Sequence, residues 1–253
     1  MNRKVDFFIA GVQKGGTTAL WHFLRSHPDV GLPEPKELHF FDNEALDWRD
    51  PPYAKLHGHF SGFEDRAVLG EATPIYCYWP NSLERIQRYN PAAKIILLFR
   101  HPAMRAFSHW RMEKVRGADT LSFSEAIRAG RSRVADDSTA PGYHRVFSYI
   151  ERGFYSEQVR RLRRLFPASQ TLLLSQEGLL RDHGETLGRV YDFLEIKEPK
   201  RRVEKEIVFS HESFGSELAR EDREYLDSLF YEDLKKFNEL TGIDFSEERL
   251  RPA

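Results

Sequence analysis

The stretch Gly11-Val12-Gln13-Lys14-Gly15-Gly16-Thr17-Thr18 places a lysine, a glycine pair and two hydroxyl residues directly after an apolar run. A strand, a glycine turn and a helix N-terminus in succession aim several backbone N–H groups at one point, where the helix dipole adds partial positive charge. Gly15 and Gly16 let the backbone approach an oxyanion closely, and the hydroxyls of Thr17 and Thr18 can donate hydrogen bonds. The pattern favours a phosphate-binding loop over an ordinary tight turn before a buried helix.

The position of the lysine argues against a nucleoside triphosphatase. In the G-x-x-x-x-G-K-[ST] loop the lysine follows the last glycine, whereas here Lys14 precedes the glycine pair. Those enzymes also hold Mg²⁺ with an aspartate at the end of an apolar strand. After the apolar run 95–99 this chain has Arg100 instead, which indicates a second anion site. Glu71 does end an apolar run, so a metal-dependent enzyme stays open as an alternative.

Short apolar runs alternate with helical patterns along the chain. Uninterrupted apolar runs are typical of strands covered on both faces of a parallel sheet, and they occur at 6–10, 67–70, 95–99 and 171–174. Helical spacing, proline starts and glycine stops predict helices at 17–26, from Pro102 onwards, at 151–166 and at 217–240, the last ended near Gly242. The stretches 41–66 and 130–145 are predicted to be loops. Without a repeat or a linker, residues 1–253 are predicted to form a single α/β domain.

Composition restricts the class of protein further. The 253 residues carry a formal net charge of −1, so an anionic ligand must be held by local positive groups, and no nucleic-acid partner is expected. No apolar stretch approaches the ~20 residues that cross a membrane, and the first residues lack the apolar core of a secretory signal. The single cysteine, Cys77, fits a reducing compartment. These features predict a cytoplasmic protein without a transmembrane segment; they leave its oligomeric state open.

In chain order the sequence contains the segments GVQKGGTTAL, KELHFFD, GEATPIY and RHPAMRAFSHW. Together they resemble the sulfotransferases that use 3′-phosphoadenosine 5′-phosphosulfate (PAPS), and within them the heparan sulfate O- and N-sulfotransferase branch. The first is similar to the 5′-phosphosulfate loop, the second to the segment with the catalytic carboxylate, the third to the next strand-end motif and the fourth to the 3′-phosphate site. RGFY and LLLSQEGLLRD continue the order. The resemblance implies a P-loop NTPase-like three-layer fold, with a central, mainly parallel sheet flanked by helices.

The resemblance also implies which residues bind the donor. Lys14 falls on the cation beside the bridging oxygen, where negative charge grows as the S–O bond breaks, and the backbone of residues 15–18 falls on the 5′-phosphate. Arg100 and Ser108 match the 3′-phosphate ligands. Tyr155, Phe214 and Gly215 complete the donor contacts that the resemblance implies. No metal is required, and the product would be adenosine 3′,5′-bisphosphate. Arg105 and Arg111 are predicted to lie on the surface.

The acceptor needs a base, and two residues of KELHFFD can supply it. The resemblance assigns the base to Glu37. His39 is the rival, because in an extended segment residues 37 and 39 lie on the same side and either group could come within hydrogen-bond reach of an acceptor hydroxyl. The alternative interpretation is a surface glutamate and a core histidine beside Phe40 and Phe41.

The predicted function is direct in-line transfer of a sulfuryl group from PAPS to an acceptor hydroxyl or amine, on a carbohydrate or a small-molecule alcohol. The basic run 160–164 is either a glycan contact or a solvated helix face, and the aromatic stretches 75–79 and 40–63 line an apolar cleft or belong to the core. A P-loop small-molecule kinase and a catalytically silent nucleotide-binding module remain the alternative functions.

Overall fold

The structure is a computed structural model that describes residues 3–129, 132–135, 142–199 and 217–245. In this part of the chain five strands form one parallel sheet with the order β2-β3-β1-β4-β5. The strands are β1 (Phe7–Gly11), β2 (Val30–Gly31), β3 (Val68–Glu71), β4 (Lys94–Phe99) and β5 (Thr171–Ser175). Four of them match the predicted apolar runs; the two-residue β2 is too short to be recognised in the sequence.

Helices connect the strands, as parallel pairing requires. In chain order they are α1 (Thr17–Arg25), α2 (Tyr53–Gly58), α3 (Ser82–Tyr89), α4 (Pro102–Val115), α5 (Phe123–Ala129), α6 (Ser132–Ala135), α7 (Gly142–Phe147), α8 (Tyr155–Leu165), α9 (Gln176–Arg181), α10 (His183–Leu194) and α11 (Arg220–Thr241). Single 3₁₀ turns lie at Glu151–Gly153 and Ala168–Gln170. None of the helices in the described ranges is long and apolar enough to cross a membrane.

The chain divides into two compact units, Met1–Phe99 with Arg161–Ser213 and Arg100–Arg160 with Phe214–Ala253. Each has its own cluster of buried apolar side chains. The core of the first unit is built on the sheet and includes Phe7, Ile9, Leu20, Leu24, Ile96, Leu98 and Leu174. The core of the second unit includes Phe107, Ile127, Tyr149, Leu226 and Phe230.

The helix expected at 151–166 is wrong in its first turn, because the chain forms a 3₁₀ turn and starts again at Tyr155. Asp233 of α11 caps the restarted helix. Its Oδ2 accepts hydrogen bonds from the backbone N–H groups of Tyr155 (2.7 Å) and Ser156 (3.2 Å). A side chain 77 residues further along the chain thus caps the N-terminus of α8. No residue close to Tyr155 in the sequence predicts this cap.

The two predicted loops are also partly wrong, because each contains helical turns. Within 41–66, α2 forms around Leu56, which is buried. Within 130–145, α6 and α7 form, and Arg133 of α6 makes a two-pronged ion pair with the buried Asp119 (2.8 and 3.0 Å). The burial of Leu56 and the ion pair of Arg133 stabilise α2 and α6, because helices this short are marginal on local propensity alone.

Arg105 is not the surface residue that the sequence predicts, because its side chain is fully buried. Its guanidinium donates to the carbonyl of Tyr149 and lies 3.5 Å from Nδ1 of His109. Arg111, on the same helix, is half-buried. The backbone carbonyl is a fixed acceptor that no pattern of residue types reveals, and it accounts for an arginine inside the core.

Candidate active site

The glycine-rich loop joins the end of β1 to the start of α1, as predicted. Its backbone is packed tightly against β4: Val12 donates to the carbonyl of Leu98 (3.0 Å), and Gly15 donates to the carbonyl of Val12 (2.9 Å). A Cβ atom on Gly15 would lie 2.2 Å from the Leu98 carbonyl oxygen. Lys14 and Gly16 have left-handed φ angles of 66° and 96°. Close approach to β4 therefore requires glycine at position 15, and the turn requires it at position 16.

The start of α1 fits an anionic group. Gly16 occupies the N-cap position and has no side chain with which to cap the helix. The first turn is Thr17-Thr18-Ala19-Leu20 and contains no acidic residue, so its N–H groups and the positive end of the nine-residue helix are not neutralised by a carboxylate there. Thr17 is buried, Thr18 is exposed, and Lys14 is half-buried. The chain thus gathers the predicted loop residues around one helix N-terminus suited to a phosphate.

Glu37 and His39 lie in an irregular, bent stretch of backbone, which we call the 37–41 turn, and not in the extended segment that the alternation argument assumes. Both residues have left-handed φ angles, 65° and 50°, which non-glycine residues rarely adopt. The two side chains nevertheless converge, since Nε2 of His39 lies 3.6 Å from Oε2 of Glu37. Nζ of Lys36 donates to Oε1 of the same carboxylate at 2.7 Å. The carboxylate therefore lies between two cationic groups.

These contacts set opposite charges on the two candidate bases. Burial alone would raise the pKa of Glu37, but the contacts with His39 and Lys36 outweigh it and lower that pKa to about 2. The contact with Asp42, followed by that with Glu37, raises the pKa of His39 to about 9 against the opposing effect of burial. At neutral pH the glutamate is thus an ionised acceptor and the histidine is an imidazolium with no free lone pair.

Asp42 is a site residue that the sequence reading missed. Its carboxylate is fully buried and lies 2.9 Å from Nδ1 of His39, on the opposite side of the ring from Glu37. The contact fixes the orientation of the imidazole, as second-layer carboxylates do for histidines in many sites. The available signal was the i,i+3 spacing of the histidine and the aspartate in LHFFD.

The loop and the 37–41 turn belong to the same edge of the sheet. β1 and β3 are adjacent and parallel, with Phe8 paired to Glu71, so their carboxyl ends lie at the same edge. The residues after β3 bond the 37–41 turn, where Glu37 N donates to Ala72 O at 3.1 Å. Cys77 N donates to Ala10 O at 2.9 Å, and its buried thiol packs where a Cβ on Gly11 would lie, 2.2 Å from Sγ. Ligands of open α/β sheets bind at this edge.

Glu71, the alternative metal ligand, is engaged within the protein. Its carboxyl group is fully buried and accepts hydrogen bonds from Thr73 Oγ1 (2.5 Å) and Leu38 N (3.2 Å). Burial raises its pKa to about 7. In the described ranges no three His, Cys, Asp or Glu side chains are grouped so as to hold a metal ion.

Three further predicted donor ligands, Arg100, Ser108 and Tyr155, lie in the second unit. Arg100 directly follows β4 and is half-buried, and Ser108 is a half-buried residue of α4. Tyr155 is fully buried, and its hydroxyl donates to the carbonyl of Arg100 at 2.8 Å, so this tyrosine fixes the backbone of the predicted 3′-phosphate ligand. Phe214 and Gly215 lie outside the described residues.

The two segments considered for acceptor binding, 75–79 and the basic run 160–164, differ in their exposure to solvent. In the stretch 75–79 every residue but Tyr78 is buried, so this stretch belongs to the core. In the basic run, Arg161 donates to the carbonyls of Tyr76 (3.4 Å) and Trp79 (2.8 Å). Its neighbours Arg160, Arg163 and Arg164 are exposed. One arginine of the run is therefore structural.

Comparison with known proteins identifies the family of this chain. The model of the sulfotransferase domain family matches residues 4–219. Heparan sulfate glucosamine 3-O-sulfotransferase 6 of Mus musculus is 34% identical over 192 residues, which are 75% of this chain and 52% of that protein. Heparan sulfate glucosamine 3-O-sulfotransferase 3B1 of Homo sapiens is 35% identical over 193 residues, which are 75% of this chain and 45% of that protein. The chain thus spans about half the length of these curated relatives.

Solved structures share the fold over nearly the whole chain. The crystal structure of a sulfotransferase from Alicyclobacillus acidocaldarius superposes with a TM-score of 0.83 at 26% identity, covering 98% of this chain and 99% of that one. Mouse sulfotransferase SULT7A1, solved in complex with PAP, has a TM-score of 0.58 at 16% identity and covers 92% and 85% of the two chains; this likeness is one of fold. By the family match over residues 4–219, this chain belongs to the sulfotransferase domain family.

Proposed function

We propose that this chain transfers the sulfuryl group of PAPS to an acceptor hydroxyl by direct in-line displacement. The observation that carries the proposal is the ionised Glu37 carboxylate at the same sheet edge as the glycine-rich loop. Family membership supports the reaction class. Sulfuryl transfer needs a base for the acceptor and a site that binds the anionic donor. Glu37 and the N-terminus of α1 are suited to these two roles.

In the proposed reaction Glu37 accepts the proton of the acceptor hydroxyl. The acceptor oxygen forms a bond to sulfur while the bond between sulfur and the phosphate oxygen breaks, and the leaving group is adenosine 3′,5′-bisphosphate. Because His39 is protonated by its contact with Asp42, its part is to orient and stabilise the Glu37 carboxylate. The proton thus ends on the carboxylate, and the negative charge ends on the leaving phosphate.

Lys14 and the loop backbone are proposed to hold the donor. Negative charge grows on the bridging oxygen as the S–O bond breaks, and an ammonium group there stabilises the transition state. A preorganised hydrogen-bond donor such as this ammonium group contributes roughly 3–4 kcal/mol to transition-state stabilisation, or about 10²–10³ in rate. The fit of α1 to a phosphate, with a glycine N-cap and no acid in its first turn, supports this placement. Arg100 and Ser108 as 3′-phosphate ligands remain a prediction from the sequence.

The acceptor is proposed to be a carbohydrate hydroxyl. The support comes from the curated relatives, which are named as heparan sulfate glucosamine 3-O-sulfotransferases. We propose the cytoplasm as the compartment, on the single cysteine alone; fractionation of the source cells tests that separately.

The deciding experiment is turnover of radiolabelled PAPS against a panel of acceptors in EDTA. Glucosamine-containing oligosaccharides should become labelled, and phenols such as 4-nitrophenol should not. Calorimetry with adenosine 3′,5′-bisphosphate and with ATP–Mg²⁺ runs beside it, because a kinase would prefer ATP–Mg²⁺. Bisphosphate binding without label transfer to any acceptor would instead support a silent binding module.

A further inference from the structure

All five backbone N–H groups of the 37–41 turn donate to one neighbouring stretch, the 71–76 segment that begins with the last residue of β3. The pairs are Glu37 N to Ala72 O (3.1 Å), Leu38 N to Glu71 Oε1 (3.2 Å), His39 N to Thr73 Oγ1 (3.4 Å), and Phe40 N and Phe41 N to the Tyr76 hydroxyl (3.1 and 3.4 Å). One backbone carbonyl and three side chains therefore hold the backbone that carries the base.

The turn needs such support because of its own conformation. Glu37 and His39 both have left-handed φ angles. Non-glycine residues keep this conformation only where the surrounding structure over-determines it. If the 71–76 segment released the turn, the two residues would relax toward common backbone angles, and their side chains would no longer meet at 3.6 Å.

The hydrogen bonds between the side chains of the 71–76 segment have a fixed donor and a fixed acceptor. Thr73 has a single hydroxyl proton, which it donates to Oε1 of Glu71, so its oxygen is left to accept from His39 N. Oε2 of Glu71 is buried and has no hydrogen-bond partner among the described residues. Such a site favours the uncharged carboxylic acid, in keeping with the pKa of about 7. An uncharged acceptor can bind the turn without repelling the ionised Glu37.

We propose that Glu71, Thr73 and Tyr76 are positioning residues that set the geometry of the Glu37 carboxylate through the backbone of the 37–41 turn. The kinetic consequence rests on the proposed function. Because these residues act on the base and not on the donor, their loss lowers kcat and leaves donor affinity unchanged. A misplacement of about 1 Å in a reacting group can cost about 10² in rate.

The first test compares Thr73→Val with Thr73→Ser. Valine has nearly the shape of threonine but cannot accept from His39 N, whereas serine keeps the hydroxyl. We expect Thr73→Val to lower kcat by about 10–100-fold per folded molecule, with unchanged affinity for adenosine 3′,5′-bisphosphate. Thr73→Ser should restore most of the lost rate. Equal rates for wild type and Thr73→Val would overturn the proposal.

A second readout does not depend on turnover. The contacts with Asp42 and Glu37 raise the pKa of the His39 imidazole to about 9, and Lys36 binds the same Glu37 carboxylate. The NMR titration of His39 therefore reports the geometry of the turn. In Thr73→Val the titration should move toward the ordinary histidine value, and in Thr73→Ser it should stay near that of wild type. If wild type transfers no label, the proposed function fails, and this titration still decides the positioning proposal.

Tyr76→Phe provides an independent variant in case Thr73→Val does not fold. It removes the hydroxyl that accepts from Phe40 N and Phe41 N, and it should lower kcat and shift the His39 titration in the same direction. The matched control is Tyr89→Phe. It removes a phenol hydroxyl that accepts from Val5 N (2.9 Å), outside the turn. Equal effects of the two substitutions on kcat and on His39 would mean that the segment is merely structural, and the proposal would be wrong.

Discussion

At the scale of single residues, Lys36, Glu37, His39 and Asp42 form a row of alternating charge: ammonium, carboxylate, imidazolium, carboxylate. Such a row keeps the Glu37 carboxylate ionised, and its low pKa makes it a weak base in the resting protein. In the proposed reaction the proton moves only in the transition state, when the acceptor oxygen becomes far more acidic as it bonds to sulfur. A weak, correctly placed base is sufficient under those conditions.

Replacing Glu37 by glutamine tests its role as the base. The amide keeps the shape of the side chain but cannot accept a proton, so we expect turnover to fall by roughly 10²–10⁴. Bisphosphate affinity should stay nearly unchanged, because the donor is proposed to be held elsewhere. Single-turnover rates at saturating donor measure the effect, with His39→Asn as the companion variant. A normal rate for Glu37→Gln beside an inactive His39→Asn would reassign the base to His39.

The pH dependence of turnover separates the two bases without a mutation. Glu37 must be deprotonated to act, and with a pKa of about 2 it is ionised throughout the neutral range. Between about pH 5 and pH 6, below the pKa of about 7 of the buried Glu71, the rate should therefore be flat. If His39 were the base it would have to be neutral, and the rate would rise about tenfold per pH unit toward its pKa of about 9. Initial rates in buffers of constant ionic strength distinguish a plateau from such a rise.

The sequence pointed to Glu37 and His39 as candidate bases, but it did not predict the geometry that brings them together. The alternation argument assumed an extended backbone, and nothing in the letters ELH predicts left-handed angles at two residues with side chains. Asp42 was missed for the same reason, since only the turned backbone brings its carboxylate to the far side of the ring. The assignment of individual donor ligands, including Lys14 and Arg100, stays a prediction.

At the scale of elements, the sequence predicted what depends on local pattern. The apolar runs became the central strands, Pro102 starts α4, and Gly242 ends α11 with a left-handed φ of 71°. The sequence-based prediction failed where a residue of one element caps another element. An example is α8, whose first N–H groups donate to Asp233 of α11. The segments KELHFFD and GEATPIY looked independent in the sequence, yet GEATPIY supplies hydrogen-bond acceptors for the backbone of KELHFFD.

Asp233→Ala measures how much the distant cap of α8 contributes. The substitution leaves two backbone N–H groups and the Ser156 hydroxyl without their acceptor. Loss of a capping carboxylate costs about 0.5–2 kcal/mol of unfolding free energy. Glu232→Ala, at an exposed position on the same helix, is the control. Urea unfolding of both variants should show the loss in Asp233→Ala alone; equal midpoints would mean that Asp233 does not act as a cap.

At the scale of the whole molecule, the fold class and the family predicted from the sequence are confirmed by the parallel sheet, the family match and the solved neighbours. The single domain remains a prediction beside the two compact units, each with its own core. The net charge of −1 also has a consequence at this scale. Because no general positive field attracts the donor, its binding depends on a few local groups.

Binding of adenosine 3′,5′-bisphosphate, the product of the sulfuryl donor, should therefore stabilise the folded chain by mass action without a metal ion. At a bisphosphate concentration of about 100 times Kd the gain is about 2.7 kcal/mol. For a chain of this size that corresponds to a rise in Tm of roughly 5–10 °C. Thermal unfolding in EDTA, with and without adenosine 3′,5′-bisphosphate, measures the rise, and 5′-AMP tests the 3′-phosphate. An equal rise with 5′-AMP, or a rise that requires Mg²⁺, would contradict the proposed donor.

Cys77 gives this protein a chemical reporter of its own. It is the only cysteine in the sequence, the residue is 1% exposed, and its thiol packs against Gly11 where β1 runs into the glycine-rich loop. A thiol reagent can reach it only when this end of the strand opens, so the labelling rate reports the frequency of that local opening. Bisphosphate bound to the loop should slow the labelling in proportion to its occupancy. Mass spectrometry of the unmodified protein could then follow donor binding through a single sulfur atom.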